Sequence, residues 1–385
     1  MEEVYEPRED SFLLAEQVKK YAKGVVLDIG TGSGIQAITA AKKKDVKSVI
    51  GVDKSKQAID FCKKNIKNKK IKFIQSDLFS NVKGKFDTIA FNPPYLPEDL
   101  RLRDLTIYGG KKGYEIIEMF LSEVNDFLKP DGIILLLFSS LTKKDKVDGF
   151  IRNNLFEYKL LDKKHIFFED LFVYLIKKTE LLKKLEEKGI KNLKYFTKGH
   201  RGILFTADYK GKKAVIKSKL PESKAVGRIE NEGKWLKILN KHKIGPKLFF
   251  SEKDYFVYEY IPGLFILDHF KKSNRKIIIK IIKGIFDQMF ALDKLKVDKE
   301  EMHHPFKHVI ITKKNKPVLV DFERCHKTLK PKNVTQFCQC VISMSRLLID
   351  KKIKINRERI IRLAKEYKKN QNKENLNKIK NEISR

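Results

Sequence analysis

Cysteine is scarce in this sequence, with four residues at positions 62, 325, 338 and 340. That is too few for the disulfide framework of a secreted scaffold and points to a reducing cytoplasm. Cys338 and Cys340, with histidines upstream, match the spacing of no familiar zinc module and read as buried thiols. Long apolar runs are missing too. The longest clean one, Ile133 to Phe138, has the length of a buried strand and excludes a membrane span. The first ten residues are acidic and lack the basic-then-apolar order of a signal peptide. Negative charge is in deficit, 49 acidic residues against 83 basic ones, for a net charge of +34. Such an excess suits an RNA-rich partner, a ribosome or tRNA, and equally a lysine-biased composition. Among the basic residues arginine is the rare one, 13 against 70 lysines. Arginine makes most bidentate base contacts, so its scarcity argues against a dedicated reader of nucleic-acid sequence. With 42% hydrophobic and 34% charged residues, 385 in all, the chain reads as globular and can hold two separate cores.

Strand-like and helix-like stretches alternate from Gly24 to Lys178, the pattern of a parallel α/β sheet. Strands are expected at Val25–Ile29, Ser48–Val52, Ile71–Gln75, Asp87–Phe91 and Ile133–Phe138. A closing pair near Glu157–Ile166 and Asp170–Lys177 is joined briefly enough to be an antiparallel hairpin. These observations place a first domain at 1–178 and a charged, helix-compatible linker at 179–194. A second domain at 195–350 opens with the strand-rich Tyr195–Ser218. It continues through a helical Arg228–His242, a strand-and-turn stretch at Lys247–Gly263, and long helices. The charged tail, 351–385, reads as a terminal helix that frays into disorder.

The stretch Val25-Val-Leu-Asp-Ile-Gly-Thr-Gly-Ser-Gly-Ile35 is a buried strand running into a glycine-rich turn and a helix. Gly30, Gly32 and Gly34 let the backbone bend sharply and approach a ligand closely. By itself such a turn is weak evidence. Three carboxylates sharpen it. Asp28 ends the strand, where it can orient the loop or a cofactor ammonium. Asp53 ends the next strand, where a carboxylate receives two ribose hydroxyls. Asp77, in Ser76-Asp77-Leu78, follows the third strand and is placed to accept from an adenine amino group. Three acids at three successive strand ends suit a cationic sulfonium nucleoside, S-adenosyl-L-methionine, and would repel a pyrophosphate.

The fourth strand ends in Asn92-Pro93-Pro94-Tyr95. An amide or aryl amine nitrogen is a poor nucleophile because its lone pair is delocalised. Acceptors on its N–H bonds, here the Asn92 side-chain oxygen and the Pro93 carbonyl, draw it toward tetrahedral geometry. The prolines fix φ and remove competing N–H donors, and Tyr95 offers a flat face to a planar acceptor. Positioning and preorganised electrostatics then carry the chemistry without a strong base. Asn-Pro-Pro-Tyr is shared by amino-methyltransferases acting on adenine, guanine and glutamine. The opening Val4-Tyr5-Glu6-Pro7-Arg8-Glu9-Asp10-Ser11, with Tyr108-Gly109-Gly110 and Gly113, narrows that set. Over residues 1 to about 178 the chain resembles the archaeal and eukaryotic branch of the HemK-like family, which methylates the Gly-Gly-Gln glutamine of peptide-release factors.

The resemblance implies a class I (Rossmann-like) seven-stranded methyltransferase domain with Tyr5, Pro7 and Asp10 lying over the cofactor. A simpler reading of Asp10 or Ser11 is a helix cap opening at Phe12. The resemblance also implies a release factor as protein substrate and, often, a small zinc-binding activator subunit. N-methylation of adenine or guanine in RNA or DNA is the competing reading.

In the second half, Gly199-His-Arg-Gly202 reads as a shortened phosphate loop. Ala214-Val-Ile-Lys217 matches the strand whose lysine holds phosphates, Glu232 its ion-pair partner, and Asp321-Phe322-Glu323 the metal-binding Asp-Phe-Gly. On these motifs residues 195 to about 325 resemble a diverged, RIO-type, α+β protein-kinase-like domain. ATP and Mg²⁺ follow as expected ligands, with Asp321 the metal ligand. The catalytic loop departs from the pattern: His303 falls at the Asp position and His308 at the Asn position. A histidine can act as a base but is a poor Mg²⁺ ligand. A docking module that keeps only the kinase fold is the alternative for this half.

Overall fold

Strands that are apolar on both faces need a cover on each side, and the first half of the chain supplies it with helices between consecutive strands. The computed structural model describes residues 5–97, 108–199, 202–219 and 227–384. Val4, His200 and Arg201 therefore lie outside the described residues. The chain divides into two units, Met1–Tyr195 and Phe196–Arg385.

The first unit runs α1 (Glu9–Tyr21), β1 (Gly24–Ile29), α2 (Ile35–Ala41), β2 (Val46–Asp53), α3 (Lys56–Asn65) and β3 (Ile71–Gln75). It continues with β4 (Phe86–Phe91), α4 (Glu115–Glu123), β5 (Leu128–Ser139), α5 (Lys144–Asn153), β6 (Phe156–Ile166) and β7 (Glu169–Lys178). The seven strands form one sheet in the order β3-β2-β1-β4-β5-β7-β6. β1 to β5 are parallel, whereas β7 is antiparallel to both β5 and β6. This is a methyltransferase-type α/β sheet with its closing hairpin. Strand order reverses at β1 and β4, so the loops leaving their carboxyl ends diverge and open a crevice. The glycine-rich turn leaves β1 and Asn92 leaves β4, which puts both at that crevice. α1 starts at Glu9 with no side-chain cap, one turn earlier than a cap at Asp10 or Ser11 implies.

The segment read as a linker is built into packed elements. Thr179 Oγ1 accepts from the Leu182 N–H at 3.3 Å and caps α6 (Glu180–Glu187). Leu182 and Leu185 are buried, and the buried Lys178 ammonium pairs with Glu186 at 2.7 Å.

β8 (Ile190–Lys198) carries the chain across the division. A five-stranded sheet follows with β9 (Gly202–Tyr209), β10 (Lys212–Lys219), β11 (Leu248–Ser251) and β12 (Tyr255–Glu259), in the order β11-β12-β10-β9-β8. α7 (Arg228–Asn240) lies between β10 and β11 in sequence. The rest is mainly helical. β13 (Gly263–Phe265), α8 (Ile266–Lys272) and α9 (Arg275–Lys294) precede the short strands β14 (Val297–Lys299), β15 (Val309–Thr312), β16 (Pro317–Leu319) and β17 (Cys325–Lys327). α10 (Asn333–Ser343) and α11 (Ser345–Asp350) come next. Cys338 and Cys340 are free and buried in the core, where burial raises their thiol pKa values.

The tail does not fray. It forms α12 (Arg357–Lys369) and α13 (Lys373–Glu382), capped by the Asn356 and Asn372 side chains. Ile360, Leu363, Tyr367, Leu376 and Ile379 point into the core, and Tyr367 Oη donates to the buried Asp293 at 3.0 Å. Lysine-rich outer faces mask these inward residues in the composition. Among the described residues no helix is long and apolar enough to cross a membrane.

Candidate active site

Three glycines of the turn after β1 adopt left-handed backbone, with φ of +64° at Gly30, +51° at Gly32 and +84° at Gly34. At Gly34 a Cβ would also come within 2.4 Å of Ile66 Cδ1, the movable end of that side chain, so it is the left-handed backbone that calls for glycine there. Asp28 secures the turn from beneath. Its Oδ2 accepts from Thr31 Oγ1 at 2.6 Å and from the Ala37 N–H, in the first turn of α2, at 3.1 Å. Its Oδ1 is buried and has no partner among the described residues. Burial raises the Asp28 pKa to about 7 against these two hydrogen bonds. Asp53 secures the turn from the side, accepting from the Gly32 N–H at 2.9 Å and the Ser55 N–H at 2.8 Å. Asp77 is exposed beyond β3, and Leu78 beside it has φ +44°, an unusual backbone for a leucine.

Asn92 is fixed by the amino-terminal segment. Its Nδ2 donates to Asp10 Oδ2 at 2.8 Å, while its Oδ1 is buried and without a partner among the described residues. Asp10, itself buried, also accepts from Tyr5 Oη at 3.1 Å and from the Ser11 N–H at 2.6 Å. Tyr5 lies beside the glycine turn: a Cβ on Gly32 would be 4.0 Å from Tyr5 Cβ. Pro7 is half-buried between these contacts. Burial, then the Asp10 charge, raises the pKa of both Tyr5 and Tyr95, so both phenols stay protonated. Pro93 is buried and Tyr95 half-buried.

A second loop braces the same backbone. The Gly109 N–H donates to the Leu96 carbonyl at 2.9 Å. A Cβ on Gly109 would meet the Pro94 carbonyl oxygen at 2.5 Å, and one on Gly113 the Tyr95 carbonyl oxygen at 2.6 Å. Sequence reasoning took these glycines only as part of a family pattern. Their physical role is close backbone packing behind Asn-Pro-Pro-Tyr.

In the second unit the Lys217 ammonium, on β10, is 2.6 Å from Glu232 of α7 and 3.4 Å from Asp321. Burial works to lower the Lys217 pKa, but the charges of Glu232 and Asp321 win and hold it above the usual range. Asp321 has φ +62°, and the Phe322 N–H donates to Glu232 at 3.2 Å. The Gly199 N–H donates to the Gly202 carbonyl at 2.9 Å. The two histidines part company. His308 Nδ1 is 3.8 Å from Asp321, whereas His303 is exposed and edge-on to His304. Sequence reasoning missed Lys299, buried at the end of β14, and Glu301, whose carboxylate is 3.6 Å from His308 Nε2. Val297-Asp298-Lys299 carries no motif that could have marked it.

Residues 9–167 match the methyltransferase small domain family. Over 178 residues the chain is 40% identical to a putative protein N5-glutamine methyltransferase of Methanocaldococcus jannaschii, covering 44% of this chain and 90% of that protein. It is 39% identical over 160 residues to a release factor glutamine methyltransferase of Buchnera aphidicola, covering 37% of this chain and 57% of that protein. Another, from Streptococcus pneumoniae, is 32% identical over 123 residues, covering 29% and 44%. The chain thus spans about half the length of the release factor enzymes it matches. A solved structure of the E. cuniculi Mtq2–Trm112 complex, described as responsible for methylating the eRF1 translation termination factor, is 24% identical. It covers 46% of this chain and 100% of its own, at a TM-score of 0.38. No substrate or partner follows from a likeness at that level.

Proposed function

Because the chain belongs to the protein N5-glutamine methyltransferases, a family that uses S-adenosylmethionine, we propose that its first unit methylates the Gly-Gly-Gln glutamine of a peptide-release factor on the side-chain nitrogen. The observation that carries this reading is Asn92: one end of its amide is tied to Asp10, and its buried oxygen has no partner among the described residues. A buried acceptor left unpaired costs about 1–3 kcal/mol. A substrate N–H would repay that.

The residues around the glycine turn fit the methyl donor. The orphaned Asp28 Oδ1 suits a cationic group, Asp53 and the exposed Asp77 add negative charge at the same sheet edge, and Gly32 leaves room for a ligand to approach. Asp28, Asp53, Asp77, Leu78, Gly30, Gly32, Gly34, Tyr5, Pro7 and Asp10 would hold it. When bound, the donor supplies an electrophilic methyl group on a sulfonium. Asn92 Oδ1 and the Pro93 carbonyl accept from the glutamine N–H bonds, localise the nitrogen lone pair and aim it. Held in this way, the glutamine nitrogen would face that methyl group, and the N–H proton lost on its transfer would leave to water. Tyr95 packs against the planar amide. Neither Tyr5 nor Tyr95 is a base, since burial keeps both protonated, and positioning carries the rate.

Asn92→Ala should reduce methyl transfer by at least about 10²-fold while leaving donor affinity, measured by calorimetry, nearly unchanged. A large loss of donor affinity instead would assign Asn92 to the donor pocket. Methyl label in adenine or guanine of RNA would favour the competing acceptor. A small zinc-binding activator subunit belongs to the same reading.

The second unit is best read as kinase-like and nucleotide-binding, with Mg²⁺ on Asp321. The contact of Lys217 with Glu232 and Asp321 supports this, and so does the group of carboxylates, Glu232, Asp321 and Glu323, within reach of one ion.

A further inference from the structure

Protein kinases hold metal ions between the Asp of Asp-Phe-Gly and the Asn of the catalytic loop. On the kinase-like reading above, on which this inference rests, those two positions are Asp321 and His308. Beside both of them the structure puts a lysine of the protein itself. Lys299 leaves the end of β14 and is only 2% exposed. Its amino group donates to the Asp321 main-chain carbonyl and lies 3.4 Å from His308 Nδ1. It also sits 5.1 Å from the centre of the Phe322 ring. Among the described residues no carboxylate pairs with it directly, although it lines a cleft with Glu301, His308, Asp321 and Glu323.

These neighbours suit an amino group and do not suit a second metal ion. An imidazole nitrogen accepts readily from an ammonium, but magnesium prefers oxygen. The Asp321 carboxylate already has Lys217 at 3.4 Å and His308 at 3.8 Å, contributed by separate parts of the fold. A divalent ion placed beside His308 Nδ1 would also face the Lys299 amino group, 3.4 Å from that nitrogen. Among the described residues the carboxylates that can reach one ion together are Glu232, Asp321 and Glu323.

We propose that Lys299 stands in for one of the two metal ions, so that this unit binds the phosphates of a nucleoside triphosphate with Lys217, Lys299 and a single divalent cation. The substitution explains how His308 can replace an asparagine: its partner is a lysine, not a metal. It also gives a reason for burying a lysine without a carboxylate, because the missing counter-charge arrives with the phosphates.

The test uses the full-length chain, a non-hydrolysable ATP analogue and Mn²⁺. Paramagnetic resonance counts bound ions, and calorimetry gives nucleotide affinity. One Mn²⁺ per chain is expected at saturating nucleotide, and Lys299→Met should weaken nucleotide binding by about tenfold or more. Two bound ions in the wild type would overturn the proposal, and that count stands even where Lys299→Met fails to fold. So would unchanged affinity in a folded Lys299→Met. Lys217→Met separates the two levels: loss of binding there, with none in Lys299→Met, removes the role of Lys299 and keeps the nucleotide site. Absence of nucleotide binding in the wild type removes both.

Discussion

The Asp10 carboxylate receives Tyr5 Oη, the Ser11 N–H and Asn92 Nδ2, and the last of these decides which end of the Asn92 amide is left unpaired among the described residues. Asp28 plays the matching part beneath the glycine turn, with one oxygen occupied and one buried and bare. Burial raises its pKa to about 7. Below that value it is protonated and offers no charge to a cationic donor. Donor affinity should therefore fall about tenfold from pH 8 to pH 6, and calorimetry across that range checks it. Asp28→Asn should be weak and flat with pH; a wild-type affinity that ignores pH would remove the assignment. Sequence spacing marked Asp28, Asp53 and Asn92 because each closes a strand, where chemistry and position coincide. The link from Asp10 to Asn92 was not legible, since it joins residues 82 apart through the packing of α1 against the sheet. Lys299 was hidden for the same reason. Nothing local distinguishes a lysine that turns inward from the 69 others.

At the scale of elements, the loop carrying Gly109 and Gly113 shows what a family pattern conceals. Its glycines let backbone lie on the carbonyls of Pro94 and Tyr95. Gly109→Ala should displace the Asn-Pro-Pro-Tyr backbone and lower transfer by about 10²-fold, the cost of misplacing reacting groups by about 1 Å. Donor binding should persist, and steady-state kinetics with calorimetry would separate the two. Strand runs in the first unit were easy to read because their apolar character is continuous, although β5 begins at Leu128, before the apolar run. The tail was misread because lysine stems cover apolar surface while their charges face water. Ile360, Leu363, Tyr367, Leu376 and Ile379 are nonetheless core residues. Burying such a side chain is worth about 1.5–3 kcal/mol, so losing them together approaches the whole stability of a domain, about 5–15 kcal/mol. Truncation after Asp350 should abolish the cooperative unfolding transition of the second unit in calorimetry and spare that of the first. A truncated chain that keeps both transitions would show that α12 and α13 are dispensable.

Across the whole molecule, a methyltransferase-type unit that accounts for the family match is followed by a unit with its own core and a separate cluster of charged groups. The methyl acceptor is the central question, because Asn-Pro-Pro-Tyr serves planar nitrogens of more than one kind, and a net charge of +34 also suits an RNA partner. The measurement that separates these is methyl transfer to the organism's own class-1 release factor in the presence of its RNA, read by mass spectrometry of the peptide that holds Gly-Gly-Gln. One methyl group on the glutamine side chain of the wild-type factor, and none on its Gln→Ala version, is the predicted result. Methylation that persists on that version, or label found only in RNA, would contradict the account.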